Sequence, residues 1–207
     1  MNRAQDLLQD MVNLYASIAS YADHGAVHMK LDTGEQLHSQ TFCTLFKRPA
    51  FFRFEFSRPH PYEKLRHVVV RYVAGFDGRA AYFLTQRPGA APVREERISL
   101  GLAVAGATGI SKGSAHTIAR LLLPDVGGLS LLDLVAASFN PDRAIDGVAC
   151  YSVTAQHPRS GRATEFWIEK DSLLLRKLIE LGELPHEQVR DRIRVDEPLS
   201  DSLFEAG

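Results

Sequence analysis

Gly109-Ile110-Ser111-Lys112-Gly113 spells the G-x-S-x-G pattern in which a sharp turn lifts a serine hydroxyl toward a carbonyl, and His116 follows close behind. That chemistry needs a strand leading into the turn, a helix leading out, and a base reaching in from elsewhere. Here Ala103 to Thr108 is a stretch of small residues rather than a strand, and His116 would ride on the serine's own helix. The reading is therefore a hinge between two helices and not an enzyme, with a hydrolase using Ser111 as the minor alternative. The same segment fails as a phosphate loop, because Gly113 follows Lys112 and no glycine precedes it at the required position. His24, His28, His38, His60, His67, His116, His157 and His186 show no zinc spacing, so no metal and no cofactor is expected. Glu95-Glu96 and Asp77 read as solvated loop residues. Arg190, Arg192 and Arg194 could hold an anion, but three charges on a strand usually guard an edge.

With no reactive constellation left, the informative residues are apolar. Leu45 to Ser57 runs a strand into a Lys47-Arg48-Pro49 corner and starts another at once. Alternation puts Phe52, Phe54 and Phe56 on one face and Arg53 and Glu55 on the other. With Phe42, Phe46, Tyr72, Tyr82, Phe83 and Trp167 they must either fill a core or line a greasy hollow. Leucine-rich helices face them, with Leu121, Leu122, Leu123, Leu129, Leu131, Leu132 and Leu134.

The elements that would position these residues follow from period. Leu7, Leu8, Met11, Leu14, Tyr15 and Ile18 predict a helix over 6–21, broken at Asp23-His24-Gly25. Period two then predicts strands at 26–31, 39–47, 51–57, 66–74 and 79–85. Asp32-Thr33-Gly34, Arg48-Pro49, Arg58-Pro59-His60-Pro61 and Asp77-Gly78 supply the turns. From about 99 to 139 the chain turns to Leu, Ala and Gly, with helices predicted at 114–123 and 130–138. Strands return at 148–155, 163–169, 173–181 and 189–195, with a last one at Phe204. The fold class is α+β, mainly antiparallel: a large curled sheet with helices on one face.

Composition excludes several classes. The 207 residues suit a single domain over 1–207. A formal charge of -1 gives no pull toward nucleic acid. No apolar run is long enough for a spanning helix. Met1-Asn2-Arg3 leads straight into an amphipathic stretch with no signal peptide, which fits either a cytoplasmic protein or one whose signal has been removed. Cys43 and Cys150 fit two free buried thiols, the favoured reading, or one disulfide in an exported protein.

Phe46-Lys47-Arg48-Pro49, two residues and then an aromatic strand resembles the lipoprotein-carrier (LolA-like) superfamily, closest to its branch of predicted periplasmic proteins of unassigned function. Tyr21-Ala22-Asp23-His24-Gly25, Phe76-Asp77-Gly78, Ile145-Asp146-Gly147-Val148-Ala149-Cys150-Tyr151, Phe166-Trp167-Ile168-Glu169, Leu174-Leu175-Arg176-Lys177-Leu178 and Pro198 to Phe204 agree in order. The resemblance implies an incomplete barrel of about nine to eleven strands, its concave side closed by the N-terminal helix and a helical lid insert. It implies a cavity lined by Phe42, Phe46, Phe52, Phe54, Phe56, Tyr72, Tyr82 and Trp167. It implies a lid carrying Leu121, Leu122, Leu131, Leu132 and Leu134, latched by Arg48 on helix carbonyls. It further implies a lipid or acylated protein as cargo, a membrane-protein partner, a monomer, and the periplasm or cell envelope. Two departures are that no signal stands in this sequence and that a C-terminal extension used by some carriers is missing after Gly207. The superfamily also holds regulatory domains and an enzyme of pigment biosynthesis, so an interaction or envelope-sensor domain with a collapsed cavity stays open.

Overall fold

Asn2 starts the first element. Its side chain accepts from the Ala4 and Gln5 amides, capping helix α1 (Arg3–Ser17). Ala4, Leu8, Met11 and Tyr15 form its buried stripe. The computed structural model describes residues 2–30, 36–60, 62–128, 130–182 and 185–205. The turn expected at Asp32-Thr33-Gly34, the strand end at Leu31, Pro61 and Leu129 lie outside them.

Six strands follow: β1 (Ser20–Lys30), β2 (Gln36–Lys47), β3 (Phe51–Pro59), β4 (Val69–Phe76), β5 (Ala81–Gln86) and β6 (Val93–Arg97). Helices α2 (Leu100–Thr108) and α3 (Ser114–Leu122) come next, then 3-10 turns at Pro124–Val126 and Leu131–Asp133. The chain returns as β7 (Val135–Ile145), β8 (Val148–Gln156), β9 (Ala163–Glu169), β10 (Leu175–Glu180) and β11 (His186–Val195), and a last 3-10 turn covers Asp201–Phe204.

All pairings are antiparallel, in the order β6-β5-β4-β3-β2-β1-β11-β10-β9-β8-β7. The order explains the insert. Hairpins carry the chain outward from β1 to one edge, and β7 begins at the other, so the 98–134 segment must cross the sheet. It crosses on the concave side, and α1, α2 and α3 join the sheet's inner residues in one apolar cluster. β6 and β7 do not pair with each other, so the sheet curls without closing.

Turn chemistry agrees with the sequence. Asp77 Oδ1 accepts from the Arg79 and Ala80 amides at 2.9 Å each. Asp146 and Gly147 both take positive φ, 49° and 82°, as a two-residue hairpin requires.

Several expectations are corrected. Asp23-His24-Gly25 is no break: the helix ends at Ser17, and these residues run inside β1, paired with Thr44, Cys43 and Phe42. Gly25 is there because the Phe42 ring lies over it; a Cβ would stand 2.3 Å from Phe42 Cζ and from the Val189 carbonyl. The helix expected over 130–138 is a short 3-10 turn capped by Ser130, then edge strand β7; Leu134 at the junction and Ala137 in the strand point inward. β6, with Arg94-Glu95-Glu96-Arg97 exposed throughout, carries no apolar alternation and was not expected. Phe204 closes a 3-10 turn on the outer face instead of a strand: it packs on Phe51, and its carbonyl accepts from the Tyr82 hydroxyl at 2.7 Å. β11 is a central strand, so its arginines guard no edge.

Candidate functional site

The concave wall is built by alternation on neighbouring strands. Phe46, Phe52, Phe54 and Phe56 are at most 1% exposed and Phe42 is 3% exposed. Five rings form a continuous chain: Phe42 to Phe54 at 5.4 Å, Phe54 to Phe56 at 5.7 Å, Phe56 to Tyr72 at 5.0 Å and Tyr72 to Phe83 at 6.1 Å. This part of the interior is filled by the chain's own side chains, with Leu121, Leu122 and Leu134 buried in the same cluster and Leu131 packed at its margin. Leu132 is half-buried and outside the cluster. Two aromatics expected on this wall are on the other face. Tyr82 is buried in a separate outer cluster with Val73 and Leu84. Trp167 alternates with inward Phe166 and Ile168, so it faces out, with Lys177 4.8 Å and Arg143 5.9 Å from its ring.

Arg48 sits where β2 meets the helix ends. Its Nε donates to the Ile18 carbonyl at 3.0 Å, and Nη2 reaches the carbonyls of Tyr15 and Leu122 at 3.4 Å each, and that of Ala16. These oxygens lie at or just past the C-termini of α1 and α3, where intrahelical donors run out and the helix dipole favours a cation. One guanidinium therefore ties both helices to the sheet, a task for a rigid five-donor fork that an ammonium does not match.

Three more side chains hold the link between α2 and α3 by its carbonyls. Arg58 donates to Ile110 at 3.3 Å, Gln188 to Lys112 at 3.3 Å and Arg190 to Ser114 at 3.4 Å. Arg190 is the centre of a buried network that sequence reasoning missed. Its Nη1 is 2.6 Å from Asp23 Oδ2, and the two side chains are 1% and 0% exposed. Asp23 also accepts from the Tyr21 hydroxyl at 2.8 Å and the Thr44 amide at 3.0 Å. Burial opposes the charge on Arg190, but Asp23 together with Tyr21 and Tyr15 outweighs it, and its pKa stands above the ordinary value. Burial pushes the neighbouring Tyr15 phenol up to about 12.

Ser111 serves this packing. It is fully buried, accepts from the Ala115 amide at 3.2 Å, and its hydroxyl donates to the Thr108 carbonyl at 3.4 Å. His116 turns to the Gly127 carbonyl at 3.0 Å, away from the serine. Cys43 and Cys150 are both free thiols, and burial pushes Cys43 up to about 11.

Open space lies beside the aromatic wall. A groove of about 440 Å3 runs between α3, the turn at Leu131–Asp133, β9 and β10. Leu131, Leu134, Phe166 and Leu178 make its floor, and His116, Arg120, His157, Arg162 and Glu180 its rim. A second hollow of about 690 Å3 shares Ser160, Arg162 and Glu180 with it and continues past Lys112 and His186. Thr164 and Phe166 alternate along β9 with Arg162 just ahead of it, a signal present in the sequence. Their meeting with α3 was not.

No family model matches the chain, and no curated protein does. Solved structures do. LprF from Mycobacterium bovis aligns over 96% of this chain and 95% of its own at 16% identity, with a TM-score of 0.58. The lipoprotein LppX of Mycobacterium tuberculosis covers 96% and 97% at 13% identity, with a TM-score of 0.53. NE2245, a LolA superfamily protein of Nitrosomonas europaea, covers 98% and 97% at 11% identity and 0.37. The likeness is one of fold alone, carried by LprF and LppX.

Proposed function

We propose that this chain binds or carries a lipid, an acyl chain or an acylated protein on the concave side of its sheet, without catalysing a reaction on it, and that α1 and the α2–α3 insert form a lid latched by Arg48. The observation that carries the reading is the set of Arg48 hydrogen bonds to the ends of both α1 and α3 over the phenylalanine wall. A core residue needs only packing, whereas this guanidinium directs its donors to the backbone of two separate helices. Released from it, α3 would expose Leu121 and Leu122 and the rings beneath. Each buried CH₂ is worth about 0.8 kcal/mol. An acyl chain can therefore replace the helix on the wall, less the cost of opening and association. The same resemblance supports an envelope location, a membrane-protein partner and a monomeric carrier.

A second reading, an interaction or sensor domain with a collapsed interior, is favoured by the near-complete burial of the five phenylalanines. Titration with cis-parinaric acid separates the two. The carrier reading expects saturable binding to wild type and roughly tenfold tighter binding to Arg48→Leu, because opening no longer breaks hydrogen bonds to a charged group. Absence of saturable binding in both would overturn it and leave the second reading.

A further inference from the structure

The groove beside α3 has an apolar floor and a rim of opposite character. Among the described residues lining the two adjoining hollows, Arg120, Arg162 and Lys112 face one carboxylate, Glu180. Glu180 is already engaged, 3.6 Å from Arg162 Nη1 and 3.7 Å from His186 Nε2. Arg120 is half-buried, yet among the described residues its side chain makes no hydrogen bond, ion pair or ring contact. The Lys112 side chain is in the same condition. Desolvating a guanidinium without a partner is costly, so a half-buried free one at the mouth of an apolar groove is poised for an anion.

Volume sets the other half of the ligand. At about 30 Å3 per heavy atom, the share of one water in the liquid, the groove holds on the order of fifteen atoms. That is the size of one acyl chain along the apolar floor. The adjoining hollow, bordered by Lys112, Ser160, Arg162 and His186, leaves room for a polar head.

We propose that this groove is a binding site for a single-chain anionic amphiphile. The chain lies on Leu131, Leu134, Phe166 and Leu178, and a carboxylate or phosphate head is held by Arg120, Arg162 and Lys112. The proposal rests on the lipid-binding reading and adds to it the head's charge, the number of chains and the point of entry. It also excludes the neutral acylated terminus of a protein as the preferred occupant of this mouth.

The test is calorimetric titration of the intact chain with palmitate, palmitoyl-lysophosphatidate, palmitoyl-lysophosphatidylcholine and dipalmitoyl-phosphatidate, each below its aggregation concentration. The two anionic single-chain lipids are expected to bind about tenfold or more tightly than the lysophosphatidylcholine, the worth of one hydrogen bond to a charged group. Preference for palmitate over the lysophosphatidate would name the head as carboxylate, and the reverse as phosphate; either supports the proposal. Arg120→Gln with Arg162→Gln, both rim positions, should erase that preference and preserve the far-ultraviolet dichroism. Equal affinity for all single-chain heads in wild type would overturn the headgroup assignment while leaving lipid binding intact. Equal or tighter binding of the two-chain phosphatidate would overturn the single-chain assignment. No binding of any lipid would overturn the underlying reading itself.

Discussion

Arg190 stands where alternation in its strand suggested a wet face, and it is nearly sealed from water. The reason is a register shift: pairing between β1 and β11 slips between Ala22 and His24, and Arg192 takes φ 47°, so inward positions change parity after Arg190. Arg190 and Gln188 point in, whereas Arg192 and Arg194 are exposed. One-residue irregularities of this kind leave no mark in composition, which is why the buried pair was illegible. Its consequence is measurable. Arg190→Met strands a carboxylate among Tyr21, Thr44 and Phe42, and breaking a buried pair by removing one partner costs about 3–5 kcal/mol. Urea denaturation should show that loss, and Asp23→Leu combined with Arg190→Met should lose less than the single variant, because no lone charge remains. A single variant as stable as wild type would mean that water reaches Asp23.

The helices meet the sheet through their ends as much as through their faces. α1 is capped by Asn2, whose Nδ2 also donates to the Ala137 carbonyl at 2.8 Å, and it is held at its C-terminus by Arg48. α3 is held at one end by Arg190 and at the other by Arg48. Arg48→Leu should therefore free the two C-termini together. Hydrogen exchange is expected to speed about ten- to a hundredfold at the last turns of α1 and α3, the worth of roughly one charge-assisted bond. Amides of β1, β2 and β11 should keep their protection. Uniform acceleration across the sheet would instead make Arg48 an ordinary stabilising residue. This scale was the most legible in the sequence: alternation located Phe52, Phe54 and Phe56 against Arg53 and Glu55, and the 3–4 spacing located α1. The 131–145 stretch was not legible, because Leu131, Leu132 and Leu134 followed by Ala136-Ala137 fit a helix as well as a strand. Only pairing with β8, interrupted by two register shifts, decides between them. The groove was hidden for a related reason, since its walls come from one helix, one turn and two strands distant in sequence.

At the scale of the molecule, an unclosed sheet has two free edges, and both are blunted. β6 presents Arg94, Glu95, Glu96 and Arg97 to solvent. β7 has two register shifts, Pro141 within it and Ala136 at φ 54°, so no long run of its backbone is free to template a second chain. Phe139, 47% exposed, lies between the two irregularities. Charges and bulges at the edges are what a curled sheet needs if its concave side is to stay accessible on a monomer. Sedimentation should accordingly give a single species near 23.0 kDa. Replacing Glu95→Val and Glu96→Thr keeps the strand, since β-branched residues suit it, but removes the repulsion at its edge. That variant is expected to dimerise with rising concentration, with the dimer lost on adding Pro at position 95 instead. A wild type that already sediments as a dimer would mean that an edge is an interface, and access to the groove would then have to be read on the pair.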